Sequence, residues 1–151
     1  MFDDLRDLYQ DVILDRARHP RHGRRLAAFD ATAEADNPMC GDRVRVWIAR
    51  DAEGRLGGVG FEGRGCAISL ASADLMAEAV IGKDAPAARE AAARFESLAR
   101  SGTLAGDDPA LAALGVFAGV AEFPSRVKCA TLPWGALVAA LGDGAWRSLA
   151  S

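Results

Sequence analysis

The length, composition and charge of this sequence exclude several classes of protein. Its 151 residues are 50% hydrophobic and 26% charged, which is enough for a single domain (1–151) whose core needs no disulfides. The formal net charge of −3 argues against a nucleic-acid partner, and no apolar run approaches the ~18–20 residues of a membrane span, so we expect no membrane partner either.

The first predicted element is an amphipathic helix that ends before Pro20. Apolar residues recur at helical spacing from Leu5 to Ile13, and the residue before a proline is pushed out of helical geometry. The acidic start of this segment lacks the basic-then-apolar order of a secretory signal, which predicts a soluble, cytoplasmic protein. Residues 19–25 then form a basic loop, which is either a docking patch for an acidic partner surface or simply solvated.

The next predicted element is an antiparallel hairpin. Residues 43–50 alternate between apolar and polar positions, residues 51–54 suit a turn, and residues 56–62 suit a returning strand. One face of the first strand would carry Val44, Val46 and Ile48. The segment 26–35 is a candidate third strand.

The second half of the chain is predicted to be helical, because its apolar residues recur with a period near 3.6. The four predicted helices cover residues 66–81, 85–100, 107–114 and 129–141. Residues 123–128 are predicted to be a connector. Since the strands precede the helices, we expect an α+β fold: a small antiparallel sheet of about three strands, with helices packed on one face.

Composition alone does not explain the three cysteines of the chain, Cys40, Cys66 and Cys129. An odd number in a reducing compartment argues against disulfides and favours a metal or catalytic site. Cys66 and Cys129 are both predicted to open helices, where the helix dipole favours a thiolate. Cys40 lies two residues before Asp42 in a turn-forming loop. Three thiolates and one carboxylate would suit tetrahedral zinc, although spacing alone leaves three ordinary buried cysteines as the alternative.

The residues around the cysteines resemble three characteristic segments of the IscU/SufU (NifU N-terminal-like) iron–sulfur cluster assembly family. These segments are residues 37–42 (Asn-Pro-Met-Cys-Gly-Asp), 65–73 and 126–134, and the resemblance runs from about residue 5 to residue 141. Lys128 stands where the IscU proteins have a histidine, and residues 86–114 look like an added helical segment. Both features resemble those of the SufU subgroup. The resemblance to the family as a whole implies an IscU/SufU-like fold.

The resemblance also implies a metal site. In SufU proteins a Zn²⁺ ion is held by three cysteines and an aspartate, and sulfur is received from a SufS-type cysteine desulfurase. Carried over to this sequence, the ligands are Cys40, Asp42, Cys66 and Cys129. Cys40 is the expected catalytic nucleophile, because a loop flanked by glycine and proline moves at lower cost than the start of a helix.

Two residues beside the third cysteine are candidates for a supporting role. Lys128 either lowers the pKa of neighbouring thiols through its charge or is an ordinary solvated lysine. Arg126 contacts either a backbone group or the surface of a partner protein. Neither residue is expected to bind the metal.

The resemblance implies two alternative functions, and a third, simpler function involves no transfer of sulfur or of a cluster. The first is a zinc-dependent sulfur acceptor, a sulfurtransferase accessory to the desulfurase rather than a stand-alone enzyme. The alternative is a scaffold on which a transient [2Fe–2S] cluster is assembled and transferred, since thiolates bind zinc and iron–sulfur clusters alike. Recipients would be a SufBCD-type scaffold or apo iron–sulfur proteins. The third is a structural zinc protein without a transfer role.

Overall fold

Among the residues that the structure describes, the fold consists of a three-stranded antiparallel sheet and four α-helices. The structure is a computed structural model that describes residues 11–38, 41–104 and 106–142. In chain order the elements are α1 (Asp11–Arg18), β1 (Ala31–Asn37), β2 (Asp42–Arg50), β3 (Leu56–Arg64), α2 (Ala67–Val80), α3 (Ala85–Ser101), a stretch of 3₁₀ turns (Pro109–Glu122) and α4 (Pro124–Ala140). The strands lie in the order β1-β2-β3. The predicted α+β fold is confirmed.

The inner face of the sheet carries the hydrophobic core. Val44, Val46 and Ile48 have no exposed surface, as the alternation in β2 predicts. Helix α4 packs across β1 and β2, while α2 packs against β3. The helices therefore cover this face, which confirms the predicted layering.

The outer face is covered in part by the segment that follows α1. A Cβ on Gly60 would overlap the carbonyl oxygen of Arg24, so only glycine lets the two backbones approach this closely. The Arg25 guanidinium lies 5.8 Å from the ring centroid of Trp47, and Trp47 is only 4% exposed although it belongs to the polar face. Because this segment crosses the sheet, the strand expected within residues 26–35 begins only at Ala31.

The outward edge of β3 is hydrogen-bonded by two loops. The amide of Phe61 donates to the carbonyl of His22 over 3.2 Å, and the amide of Leu56 donates to the carbonyl of Lys83 over 2.8 Å. The carbonyl of Leu56 also accepts from the amide of Gly82 over 2.8 Å. The loop after α1 and the turn after α2 thus hold this strand from its open side.

Helix α3 begins and ends as its sequence predicts. The Asp84 side chain accepts a hydrogen bond from the amide of Ala87 at the N-terminus, with proline in the first turn. Gly102 ends the helix in a left-handed conformation, with φ of 81°, and its amide bonds the Leu98 carbonyl.

Helix α4 begins earlier than predicted. Residues 123–128 are not a connector, because Pro124 occupies the first turn of the helix, where its missing N–H costs nothing. Cys129 is therefore the sixth residue of α4 and does not lie at its start. A second proline, Pro133, is inside the helix.

Aromatic packing joins α3, the 3₁₀ stretch and α4. The rings of Phe95 and Trp134 stack with centroids 4.9 Å apart, and Phe117 meets Phe95 edge-on at 5.5 Å. All three side chains are completely buried. Within the described residues, no helix combines the length and apolarity that crossing a bilayer requires.

Helix α1 is attached to the body through α2. Ile13 is completely buried, and α1 packs on α2. The helix ends before Pro20, as predicted, while Leu5 and the other apolar residues of its predicted first turns lie outside the described residues.

Candidate metal centre

Three of the four predicted ligands lie together at one end of the sheet. Asp42 begins β2, Cys66 is the N-cap residue of α2, and Cys129 is in the second turn of α4. One donor atom from each lies within 4.8 Å of the others. Asp42 and Cys129 are buried and Cys66 is half-buried. The fourth predicted ligand, Cys40, falls outside the described residues, so its place relative to this cluster stays a prediction.

Local backbone geometry brings Asp42 and Cys66 together. Asp42 pairs with Asn37 across the β1–β2 turn, where Gly41 adopts φ of 76° and its amide bonds the Asn37 carbonyl over 2.8 Å. Gly65 sits directly against the carboxylate, since a Cβ there would lie 2.5 Å from Asp42 Oδ1. A side chain at position 65 would therefore displace the carboxylate from its place.

Both oxygens of the Asp42 carboxylate accept hydrogen bonds from the start of α2. The backbone amide of Cys66 donates to Oδ1 over 3.2 Å, and the hydroxyl of Ser69 donates to Oδ2 over 2.6 Å. Amides at a helix N-terminus favour an anion, and these two bonds hold the carboxylate in one orientation.

The hydrogen bond between the two thiols of the cluster shifts their pKa values in opposite directions. The hydrogen bond with Cys129 lowers the pKa of Cys66 to about 6, and bonds to Ser69 add to this effect against the opposing cost of burial. The same hydrogen bond, followed by burial, raises the pKa of Cys129. The hydrogen bond between the two thiols therefore favours the negative charge on Cys66, at the start of α2, over Cys129. The sequence placed both thiols at helix starts, which holds for Cys66 alone.

The donor set suits a thiophilic divalent metal. Donors bound at ~2.0–2.3 Å to one tetrahedral zinc ion are about 3.3–3.8 Å apart. The Cys66 Sγ and Asp42 Oδ2 atoms are 3.7 Å apart, within that range. Two sulfurs and one carboxylate oxygen are ligands that both zinc and iron accept, so the residues present fit such an ion without selecting between them.

Lys128 and Arg126 lie in the first turns of α4, next to Cys129 in sequence. Both are half-buried, and Lys128 lines an open cavity of about 360 Å³ together with Arg100, Pro124 and Val127. The helical backbone, rather than the expected loop, fixes their positions. Their supporting role stays a prediction.

Two arginines of the basic loop (residues 19–25) make contacts within the chain. Arg21 pairs with Asp15 over 2.8 Å and also donates to the His19 carbonyl over 2.6 Å. Arg25 covers Trp47, as described above. The loop remains a candidate docking patch, with fewer uncommitted charges than its sequence indicates.

Ser69 is a site residue that the sequence reading did not identify. It is completely buried, and its hydroxyl lies 3.7 Å from Cys66 Sγ besides bonding Asp42. The signal was present in the helical period, because a residue three positions after Cys66 shares its face of the helix.

Relatives of known type match most of the chain. Residues 8–130 match the family described as the NifU-like N terminal domain. The iron–sulfur cluster assembly scaffold protein IscU of Streptococcus pyogenes serotype M1 is 37% identical over 91% of this chain and 84% of its own length. The zinc-dependent sulfurtransferase SufU of Bacillus subtilis (strain 168) is also 37% identical, over 89% of each chain.

Solved structures agree with these matches. The SufU-type scaffold protein of the SUF system from Fervidobacterium islandicum AW-1 superposes with a TM-score of 0.82 at 32% identity, covering 91% of this chain and 99% of that one. The N-terminal NifU-like protein of Brucella abortus gives a TM-score of 0.79 at 25% identity, covering 91% and 94%. With the sequence match, the shared sheet and the clustered cysteines in agreement, this chain belongs to the IscU/SufU family of iron–sulfur cluster assembly proteins.

Proposed function

We propose that this chain is a zinc-dependent sulfur acceptor that takes persulfide sulfur from a SufS-type cysteine desulfurase. The observation that carries the proposal is the meeting of Asp42, Cys66 and Cys129 within 4.8 Å at the start of α2. The similarity to a zinc-dependent sulfurtransferase supports it. Lys128, in place of the histidine of IscU proteins, also favours the sulfur acceptor.

In this proposal Cys40 completes the ligand set with Asp42, Cys66 and Cys129. Zinc bound by these residues keeps the thiols deprotonated near neutral pH. The chain itself contributes the orientation of the carboxylate, through the Cys66 amide and Ser69. It also contributes two sulfurs fixed on helices, which leaves the loop cysteine as the one that moves.

The transfer step is an exchange between a thiolate and a persulfide. The Cys40 thiolate attacks the terminal sulfur of the persulfide on the desulfurase, so a new S–S bond forms on Cys40. The bond between that sulfur and the desulfurase cysteine breaks, and the desulfurase cysteine leaves as a thiolate. The products are a Cys40 persulfide and a regenerated partner, with no net oxidation or reduction.

The partners and setting of this reaction are part of the same proposal. The desulfurase would dock where Cys40 is accessible, with Arg126 and Lys128 at the edge of the contact. The sulfur would pass on to a SufBCD-type scaffold or to apo iron–sulfur proteins in the cytoplasm. The segment 86–114 would be the added helical region of a single domain.

The test combines metal analysis with sulfur transfer. Purified chain should contain about one zinc per molecule and accept ³⁵S from a SufS-type desulfurase supplied with labelled cysteine. Cys40→Ser should abolish labelling while the desulfurase still forms its own persulfide. Thr103→Ala, an exposed change away from the cluster, is the control and should label as the unmodified chain does. Labelling of Cys40→Ser at the unmodified rate would overturn the nucleophile, and a chain that neither binds zinc nor accepts sulfur would overturn the function.

A second candidate function is a scaffold for a transient [2Fe–2S] cluster. It is favoured by the equal 37% identity to a protein named as an iron–sulfur cluster assembly scaffold. Anaerobic incubation with iron, cysteine and desulfurase would then give a stable visible-absorbing cluster that transfers to an apo-ferredoxin. Stoichiometric zinc, sulfur acceptance and no stable cluster would instead favour the sulfur acceptor.

A further inference from the structure

We infer that Ser69 is a positioning residue that holds the Asp42 carboxylate for metal binding. The inference rests on the proposed metal site. Ser69 has no exposed surface, and its hydroxyl oxygen lies 2.6 Å from Asp42 Oδ2 and 3.2 Å from the carbonyl oxygen of Cys129. One side chain therefore contacts two of the three clustered donor residues through polar atoms, and Cys66 Sγ is 3.7 Å away.

The Ser69 hydroxyl has one proton and three possible acceptors, which are Asp42 Oδ2, the Cys129 carbonyl and Cys66 Sγ. The shortest contact is to the charged carboxylate, and charge-assisted bonds are the stronger kind, so the proton is directed to Asp42. A carboxylate offers about four lone-pair sites. The Cys66 amide bonds one oxygen and Ser69 bonds the other, which fixes the plane of the carboxylate.

Removing such a bond should weaken metal binding through the ligand it orients. Partners that orient ligating carboxylates typically contribute 10–100-fold in metal affinity. Ser69→Ala should therefore bind zinc 10–100-fold more weakly. Because the carboxylate is then free to rotate, cobalt substituted for zinc should show shifted or weakened visible d–d bands.

Ser72 provides a matched control on the same helix. It is also completely buried, and its hydroxyl donates to the Ala130 carbonyl of α4 over 2.6 Å. Ser72→Ala thus removes one buried bond between α2 and α4 at the next carbonyl along. It should lower the melting temperature about as much as Ser69→Ala and leave the zinc affinity and cobalt spectrum unchanged.

The experiment uses the 151-residue chain. It measures zinc affinity by competition with a chromophoric chelator, and it records the visible absorption of the cobalt-substituted chain. The variants are Ser69→Ala, Ser69→Thr, which restores the hydroxyl, and Ser72→Ala. The inference predicts a loss only in the first and recovery of the cobalt spectrum in the second. Ser69→Ala with unmodified affinity and spectrum overturns it, as does Ser72→Ala with an equal loss.

Two further variants, Asp42→Ala alone and combined with Ser69→Ala, keep the test independent of folding losses. If Ser69 acts through Asp42, then Ser69→Ala should change zinc affinity much less in an Asp42→Ala background than in the unmodified one. Equal changes in both backgrounds would overturn the inference. An unmodified chain that binds neither zinc nor cobalt would instead refute the proposed function, so the two failures are distinguishable.

Discussion

Arg16 of α1 and Asp74 of α2 form an ion pair in which the carboxylate has no exposed surface. The Arg16 Nη1 and Asp74 Oδ2 atoms are 2.8 Å apart, and Asp74 Oδ1 accepts the backbone amide of His22 over 2.8 Å. A single buried carboxylate thus joins the first helix, the basic loop and the central helix. The loop owes its place beside the sheet to this contact as well as to its own charges.

Removing the arginine should leave this carboxylate buried with one partner fewer. Arg16→Met keeps the apolar stem and should lower the free energy of unfolding by about 2–3 kcal/mol, since a buried charge loses a charged hydrogen-bond partner. Urea unfolding measures it. Glu78→Ala is the control, because Glu78 bonds the same arginine but is 47% exposed, and it should cost under ~1 kcal/mol. Equal losses in the two variants would contradict the buried pairing.

The stacked rings of Phe95 and Trp134 predict a large loss on truncation. Phe95→Ala would open a cavity between α3 and α4 and should lower the free energy of unfolding by about 3–5 kcal/mol. Phe29 is 40% exposed, and Phe29→Ala should cost far less. A Phe95→Ala chain as stable as Phe29→Ala would show that this aromatic cluster is not part of the core.

Gly65 predicts a change in metal affinity by a steric route. Gly65→Ala puts a methyl group 2.5 Å from the present position of Asp42 Oδ1, so the carboxylate has to move. Zinc affinity should fall by about 10-fold or more. Gly82→Ala is the control, since Gly82 also has a positive φ, of 90° against 155° for Gly65, but a Cβ there meets nothing within 4 Å; it should bind zinc as the unmodified chain does. Unchanged affinity in Gly65→Ala would mean that Asp42 does not bind the metal where it now lies.

The contact of Lys83 with Asp108 predicts a pH dependence. The two side chains are 2.7 Å apart, and the hydrogen bond from Lys83 lowers the pKa of Asp108, followed by the bond from the Ala110 amide. Because the pKa is lowered on folding, the contact stabilises the chain at neutral pH, and this contribution is lost as the pH falls through the lowered pKa. The contact joins the turn after α2 to the start of the 3₁₀ stretch.

Lys83→Met should therefore move the pKa of Asp108 upward. Carbon-13 NMR of the carboxyl groups measures the titration directly. Lys128→Met is the matched control, because it removes the other lysine of the chain without touching this pair, and the pKa of Asp108 should then stay in place. If Lys83→Met left the titration of Asp108 unchanged, the contact would not exist in solution.

The sequence predicted those elements whose signals are local. The alternation in β2 and the caps of α3 at Asp84 and Gly102 needed only neighbouring residues, and both are confirmed. The start of α4 was wrong because Pro124 reads equally well as a loop residue and as a first-turn residue. The choice between the two depends on packing against the sheet, which no local pattern contains.

The residues of the candidate site also fall into two groups: those that local sequence identifies and those whose role depends on tertiary contacts. Asp42 and Cys66 were predicted as ligands from the sequence segments around them, and the structure brings both beside Cys129. Ser69 was missed, because its role depends on α2 meeting both β2 and α4. The sequence contains no mark of that meeting beyond the helical spacing from Cys66.

The hydrogen bonds along β3 restrict how other chains can approach the sheet. An open strand edge is a template for pairing with another polypeptide, and it invites aggregation. Here His22 and Lys83 already take the outward amides of Phe61 and Leu56, and at the opposite edge β1 displays the charged side chains of Glu34 and Asp36. Pairing of the sheet with a strand of another polypeptide is therefore disfavoured at both edges.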